Sequence, residues 1–372
     1  MKILMTVNAA WNILNFRRAL LYGLIEEGHK VTVLAPPDDS VPELAKLGAR
    51  FLPLAMNVKG LNPFDDLKVL QSFKRHFRAE RPDVVLSYTI KNNVFGAMAA
   101  NACGIPFIPN VSGLGTAFLS NGMLRLIAEN LYRRAFGKLP IIFFQNGDDR
   151  ALFVQRRLVR SEQARLLPGS GIDLSRFAPS DLPAETEATT FLMIARLLRD
   201  KGVLEFVEAA RLIKACAPNT RFQLLGAAGS ENRTAIDLAT VEAWEREGLV
   251  EYLGTTSDVR PFIRAAHSVV LPSYREGAPR TLIEAAAMAR PLIATDVPGC
   301  RSVLDDEVSG YLCAPRRGDS LAAAMKRFLD LPNQARIAMG QAGRLKMERE
   351  FDQAIVLAAY KEAIEEVASR RS

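Results

Sequence analysis

Short apolar runs rich in β-branched residues alternate with helical stretches along almost the whole chain, and this alternation limits the fold more than any other feature. KILMTV (2–7) is followed by a helical run over 16–27 that closes at Gly28, and then by KVTVLA (30–35) and RFLPLA (50–55). A helix around 64–80, DVVLS (83–87), a helix near 92–102, IPFIPNV (105–111), a helix near 121–136 and PIIFFQN (140–146) continue the series. Repeated strand–helix alternation predicts parallel sheets covered by helices on both faces, because each parallel connection must cross over the sheet. APSDLPAETEATT (178–190) breaks the rhythm with prolines, small residues and acids, the composition of a linker. Beyond it the pattern restarts with TFLMIA (190–195), a helix at 203–215, RFQLLG (221–226), a helix near 235–247, VEYLG (250–254), SVVLPS (268–273) and PLIATD (291–296). The expectation is an α/β protein of two Rossmann-like parallel-sheet domains facing across a cleft. The first spans 1–180 and the second 181–350, with a terminal helix over 351–372 that can pack back toward the first domain. A chain of 372 residues is long enough for two such cores.

Composition is that of an ordinary globular protein, 49% hydrophobic and 24% charged. No run of about 18 apolar residues is present, the length needed to span a bilayer. The start reads as a first strand rather than a signal peptide. Cys103, Cys216, Cys300 and Cys313 are widely spaced without a CxxC pair, which predicts reduced, mostly buried thiols and a cytoplasmic setting. The net charge of +7 admits nucleic acid, an anionic membrane or an anionic substrate as partner. No zinc, RNA-recognition or helix-turn-helix signature accompanies the charge, which argues against nucleic acid. The basic clusters SFKRHFR (72–78) and LYRRAFGK (131–138) are interleaved with apolar residues. They read either as solvated helix faces or as a surface for anionic lipid.

In open parallel sheets, ligands bind outside the carboxyl ends of the strands, so the loops there carry the candidate chemistry. NAAWNILNFRR follows the first strand without a glycine, so a dinucleotide pyrophosphate could not approach that turn and a nicotinamide-dependent dehydrogenase is disfavoured. Asn8, Trp11, Asn12 and Asn15 could offer amides and an aromatic face to sugar hydroxyls; the competing reading is a helix cap at Asn12 and a buried Trp11. In FLMIARLLRDKGVLEF, Arg196 ends a strand and Lys201-Gly202 precedes a helix, forming either a diphosphate clamp or a solvated turn. SYREGAPRTLIEA (273–285) is the densest segment. With Pro279 opening a helix, the N–H groups of Arg280, Thr281 and Leu282 would lack intrahelical partners and form an anion site. Gly277 permits close approach of a ligand to the backbone. Glu276 and Glu284, on either side, suit vicinal hydroxyls better than phosphate. A nucleotide sugar has a diol at each end and a diphosphate between, which matches Glu276 on the hexose and Glu284 on the ribose.

YREGAPRTLIEA with RPLIATDVPGCRSVL resembles the E-x7-E region of glycosyltransferase family 4, and ARLLRDKG resembles that family's donor-phosphate loop. SYTIKNNVFGAMAA, NVSGLGTAF, FFQNGDD and LPGSGIDLSRFAP resemble segments of a bacterial subgroup that extends undecaprenyl-diphosphate-linked saccharides for surface polysaccharides or glycoproteins. The resemblance implies a GT-B fold, a UDP-sugar donor held mainly by the second domain, retention of anomeric configuration, and no cofactor or required metal. It implies that Arg196 and Lys201 neutralise the departing diphosphate and that Glu284 binds ribose. It also implies that Glu276 contacts the hexose with the backbone of Gly277, Ala278 and Pro279, making Arg196, Lys201 and Glu276 the catalytic set. No carboxylate is an obvious nucleophile; the family's usual route is displacement on the face from which the diphosphate leaves.

One departure stands out. Many relatives carry a histidine in the first domain near the strand that here reads DVVLSYTIK, whereas this chain has only His29, His76 and His267, none well placed. Tyr88, Thr89 and Lys91 occupy that region and are expected, with Asn8, Trp11 and Asn12, to contact acceptor or sugar; packing of Tyr88 into the wall is the other reading. The implied partners are a nucleotide-sugar donor, a lipid-linked saccharide acceptor and an anionic membrane met by the first domain at the inner face of the cytoplasmic membrane. Transfer to a soluble acceptor, a UDP-sugar epimerase and a non-enzymatic sugar- or nucleotide-binding regulator are the rival readings.

Overall fold

The computed structural model describes residues 1–57, 62–113, 122–184, 188–230, 232 and 234–370. The chain divides into two compact units, Met1–Gly171 together with Gln353–Ser372, and Ile172–Asp352.

The first unit is built on seven strands, β1 (Lys2–Thr6), β2 (Lys30–Ala35), β3 (Arg50–Pro53), β4 (Val84–Tyr88), β5 (Phe107–Val111), β6 (Ile142–Phe144) and β7 (Ala164–Leu166). Their order is β3-β2-β1-β4-β5-β6-β7, and every ladder is parallel. The central strands β4 and β5 are buried along their whole length, as predominantly apolar strands between two helical layers are. The second unit has β8 (Thr190–Ile194), β9 (Arg221–Leu225), β10 (Glu251–Tyr252), β11 (Ser268–Leu271), β12 (Leu292–Thr295) and β13 (Gly310–Cys313). These are ordered β10-β9-β8-β11-β12-β13 and again parallel. Each sheet grows outward from its first strand and then restarts on that strand's other side. The reversal falls between β1 and β4 in one unit and between β8 and β11 in the other. Crevices form at such switch points, because neighbouring connections leave in opposite directions.

Several expectations need correction. NAAWNILNFRR is not a loop: it forms the helix Ala10–Phe16, followed at once by the helix Arg18–Glu26, and lacks the glycine or proline that would have kept it open. Ala9 is the N-cap and uses no side-chain cap. Asn12 therefore lies inside the helix, and Trp11 is 52% exposed rather than buried. Pro279 is the N-cap of the helix Arg280–Ala287 rather than its first residue. Cys300 and Cys313 are buried, but Cys216 is exposed.

The expected junction at 180 lies nine residues beyond the observed one at 171, because the stretch between is bound to the second unit. Ile172 and Phe177 enter its core, Arg344 donates to the carbonyls of Leu174 and Phe177, and the far end is held by Arg290. Its guanidinium is fully buried and donates to the carbonyls of Ser180, Asp181, Ile263 and Arg264, and to Ser180 Oγ. The early part of the expected linker, Ser180 and Asp181, is thereby fastened to the second unit. The helix Gln353–Ser369 belongs to the first unit. It buries Val356, Tyr360, Ala363, Ile364 and Val367 in that unit's core. Tyr360 meets Phe143 at a centroid distance of 5.0 Å and accepts a hydrogen bond from Asn110 Nδ2 at 3.0 Å.

Candidate active site

At the switch point of the second unit, the loops leaving β8 and β11 are locked together. After β8 the backbone passes Arg196, which is exposed, and makes a short 3-10 turn over Arg199–Lys201. Gly202 follows with φ +77°, and a Cβ there would lie 2.1 Å from the carbonyl oxygen of Pro272. Only glycine satisfies both the left-handed backbone and that approach. The Tyr274 N–H donates to the Asp200 carbonyl at 3.0 Å, and Thr281 Oγ1 donates to the carbonyl of Ile194 at 3.1 Å. The Tyr274 hydroxyl donates to Glu205 Oε1 at 2.6 Å, and the Arg316 guanidinium lies 4.8 Å from the centre of its ring. Burial and the Glu205 carboxylate push this phenol up to about 12, so it remains a proton donor. From the far side, Gly299 meets the Glu276–Gly277 backbone so closely that a Cβ would sit 2.6 Å from it.

These contacts bring together the residues that sequence reasoning selected. Lys201 Nζ pairs with Glu276 Oε1 at 2.5 Å, both side chains being mostly buried. One turn into the helix, Arg280 Nε donates to Glu284 Oε1 at 2.6 Å. Glu284 is only 9% exposed. Burial holds its carboxyl above the usual range, against the opposing pull of Arg280 and Arg176. Among the described residues Arg196 makes no ion pair. Gly277 and Ala278 form the loop between the two carboxylates. The expectation for the helix start is modified: the Leu282 N–H is already taken by the Pro279 carbonyl at 3.1 Å, so three open donors are not available there. Tyr274, Gly202 and Gly299 were not singled out as a framework; their signal, lone glycines and an aromatic just after strands, has many other meanings.

The first unit's switch point opens into a pocket of about 310 Å³. It is lined by Asn8 after β1, Met56 after β3, Thr89–Lys91 after β4 and Ser112–Gly113 after β5. Thr89 adopts φ +71°, a left-handed backbone for a β-branched residue and a strained one. Its hydroxyl donates to Asn92 Oδ1 at 2.9 Å, and Asn92 Nδ2 donates to Thr6 Oγ1 at 2.8 Å. Lys91 Nζ donates to Asp66 Oδ1 at 2.8 Å and to the Asn57 carbonyl at 3.0 Å. Asn8, Thr89 and Lys91 therefore share one cavity. Tyr88 does not join them: it is 1% exposed, with Arg17 stacked 4.5 Å over its ring and Tyr360 beside it. Being the last residue of β4, it turns into the core and leaves the lining to its three successors. Trp11 and Asn12 sit on the Ala10–Phe16 helix and are not among the residues lining the pocket. His267 is buried, and its Nδ1 accepts from the Thr190 N–H at 3.1 Å.

Residues 15–169 match the glycosyl transferase 4-like domain, and residues 188–330 match the glycosyl transferases group 1 domain. The chain is a family 4-type glycosyltransferase. It is 27% identical to the N,N'-diacetylbacillosaminyl-diphospho-undecaprenol alpha-1,3-N-acetylgalactosaminyltransferase of Campylobacter jejuni, over 89% of this chain and 90% of that one. To the UDP-Gal:alpha-D-GlcNAc-diphosphoundecaprenol alpha-1,3-galactosyltransferase of Escherichia coli it is 24% identical, over 73% of each. Among solved structures, a glycosyltransferase of Rickettsia africae superposes with a TM-score of 0.78 at 18% identity, covering 98% of both chains. Anabaena HepE in complex with UDP gives the same score and identity over 98% of this chain and all of that one. The glycosyltransferase thus has the GT-B fold, with the two sheets just described as its two Rossmann-like domains.

Proposed function

We propose that this glycosyltransferase moves a hexose or N-acetylhexosamine from a UDP-sugar to an undecaprenyl-diphosphate-linked saccharide, with retention at the anomeric carbon. The observation that carries the reading is the pairing of two cations with two carboxylates, Lys201 with Glu276 and Arg280 with Glu284, at the β8/β11 switch point. In this reading Glu284 takes the ribose hydroxyls through its remaining lone pairs. Arg196 and Lys201 take the diphosphate, and Glu276 takes the hexose with the Gly277–Pro279 backbone. The acceptor hydroxyl attacks the anomeric carbon on the face from which the diphosphate departs, and its proton passes to the departing phosphate oxygen. One C–O bond breaks, another forms, and no protein nucleophile is required. The protein positions the partners and stabilises the charge building on the leaving group. On the acceptor side, Asn8, Thr89 and Lys91 offer polar groups in a pocket of sugar size. Subgroup membership and the lipid-linked acceptor draw support from the two undecaprenol-linked relatives.

Thermal unfolding in the presence of UDP, GDP, ADP, CDP or NAD tests the donor assignment. At about a hundred times its dissociation constant, a ligand adds about 2.7 kcal/mol. The expected result is stabilisation by UDP that Glu284→Ala abolishes. Stabilisation by another nucleotide replaces the donor, and no response to any of them refutes the site.

A lipid-linked acceptor requires contact with a membrane surface, and two helices of the first unit suit it. On Pro63–Glu80, the exposed residues Phe64, Leu67, Lys68, Gln71, Arg75 and Arg78 follow one helical stripe. On Met123–Phe136, the exposed Met123, Leu126, Ile127, Asn130, Arg133 and Arg134 do the same. Each stripe is apolar at its start and basic toward its end, so one exposed face offers apolar side chains to a bilayer surface and cations to anionic headgroups. No helix among the described residues is long and apolar enough to cross a membrane. With each cation near anionic lipid adding about 1 kcal/mol, the protein is expected to pellet with phosphatidylglycerol-containing vesicles at low salt and to be released at high salt. Absence of binding at every salt concentration favours a soluble acceptor.

A further inference from the structure

We propose that Lys201 and Glu276 exchange partners during turnover, and that the exchange disfavours UDP, the product, relative to the UDP-sugar donor. This rests on the donor site proposed above. In the structure the cation placed to receive the diphosphate is held 2.5 Å from the carboxylate placed to receive the hexose, with the two side chains 25% and 13% exposed. Neither end is loose. Lys201 sits in a turn closed by Gly202 against Pro272 and by Tyr274 on Asp200, and Glu276 is backed by Gly299.

An arriving diphosphate competes for the ammonium, being the stronger anion. What becomes of Glu276 then depends on the group attached to the β-phosphate. A hexose brings hydroxyl donors, which replace the ammonium and keep the carboxylate satisfied. Free UDP brings none, and its terminal phosphate carries an additional negative charge close to the same carboxylate. Glu276 is then a mostly buried charge that has lost its cation, and that state is costly. One carboxylate therefore favours the sugar before transfer and helps to expel the nucleotide after it.

Calorimetric titration of UDP, UDP-galactose and UDP-N-acetylgalactosamine into the wild type and Glu276→Gln decides the matter. Removal of the charge is expected to tighten UDP about tenfold, the worth of one charge-assisted contact, while the affinity for the UDP-sugar that binds does not rise. Unchanged or weaker UDP binding by Glu276→Gln overturns the exchange and leaves the donor site standing. Failure of the wild type to bind UDP at all overturns the donor site, and the exchange with it. A double-mutant cycle with Lys201→Met, read by thermal unfolding, gives an independent check. The two substitutions are expected to be non-additive in the empty protein and additive at saturating UDP-sugar; additivity in both states, or equal coupling in both, also overturns it.

Discussion

Lys201→Met is expected to lower kcat by about 10³, the scale found for removal of one preorganised group facing developing charge. The dissociation constant of the donor should change by less than about tenfold, because binding the diphosphate costs Lys201 its pairing with Glu276, and the further negative charge, beyond the two the donor already carries, develops only as the glycosidic bond breaks. An interaction that strengthens in that transition raises kcat without tightening the ground state. The geometry favours Lys201 over Arg196 in this role. The lysine is fixed by a turn that only glycine can close and by the tether from Tyr274 to Asp200. Arg196 is exposed and unpaired among the described residues, so ordering its side chain must be offset from the contact it makes. Arg196→Met is accordingly expected to cost less in kcat. Steady-state transfer from labelled UDP-sugar to a polyprenyl-diphosphate saccharide measures both. A loss confined to KM would reassign Lys201 to ground-state binding, and a loss below about tenfold in kcat would remove it from the catalytic set.

The largest effect on stability is expected at Arg290, which touches none of the proposed ligands. Arg290→Met retains much of the apolar stem but removes the hydrogen bonds to the part-buried carbonyls of Ser180, Asp181 and Arg264 and to the buried carbonyl of Ile263. A hydrogen bond to a charged group contributes about 1.5–3 kcal/mol, and the part-exposed acceptors recover some of that from water, so a net loss of about 3 kcal/mol follows. For a unit of this size that lowers the melting temperature by roughly 10 °C. Burial and the neighbouring Arg264 bring the guanidinium down to about 10, so it is still charged at neutral pH and its donors remain in place. Arg290→Lys should recover only part of the loss, since a single ammonium cannot span carbonyls arriving from both sides. A melting temperature within about 2 °C of the wild type would show that core burial of Ile172 and Phe177 and the Arg344 bonds hold the segment without Arg290.

The parallel sheets were legible because β4, β5, β8 and β11 are buried on both faces and so read as predominantly apolar runs without strict alternation. Edge strands were harder. Ala164–Leu166 is only three residues long, and its pairing follows from its neighbour rather than from its own composition. The helix Ala10–Phe16 was missed because its asparagines favour turns in isolation, and tertiary packing of Ala10 and Ile13 overrides them. At the proposed donor site, chemistry was readable where unusual residue types cluster, as at Glu276 and Glu284. The framework was not, because Gly202 and Gly299 matter only through backbone that lies close in space and distant in sequence. Tyr88 shows the limit of strand-end reasoning: one residue of pleat decides whether a side chain enters the core or the crevice.

The ends of the second unit bear on how such a protein can be taken apart. Ile172 and Asp352 form a parallel bridge, and the Ile172 N–H donates to the carbonyl of Phe351 at 2.8 Å. The polypeptide therefore enters and leaves that unit at one place, as a cassette inserted into a host whose own last helix comes afterwards. Excision of 172–352 removes an intact sheet with its termini already side by side, whereas truncation at 352 would strip Tyr360 and its neighbours from the core of the first unit. Grafting a cassette from another glycosyltransferase would need two splices about one strand spacing apart, so the proposed donor site can be exchanged as a block without rebuilding the half that carries the Asn8–Lys91 pocket.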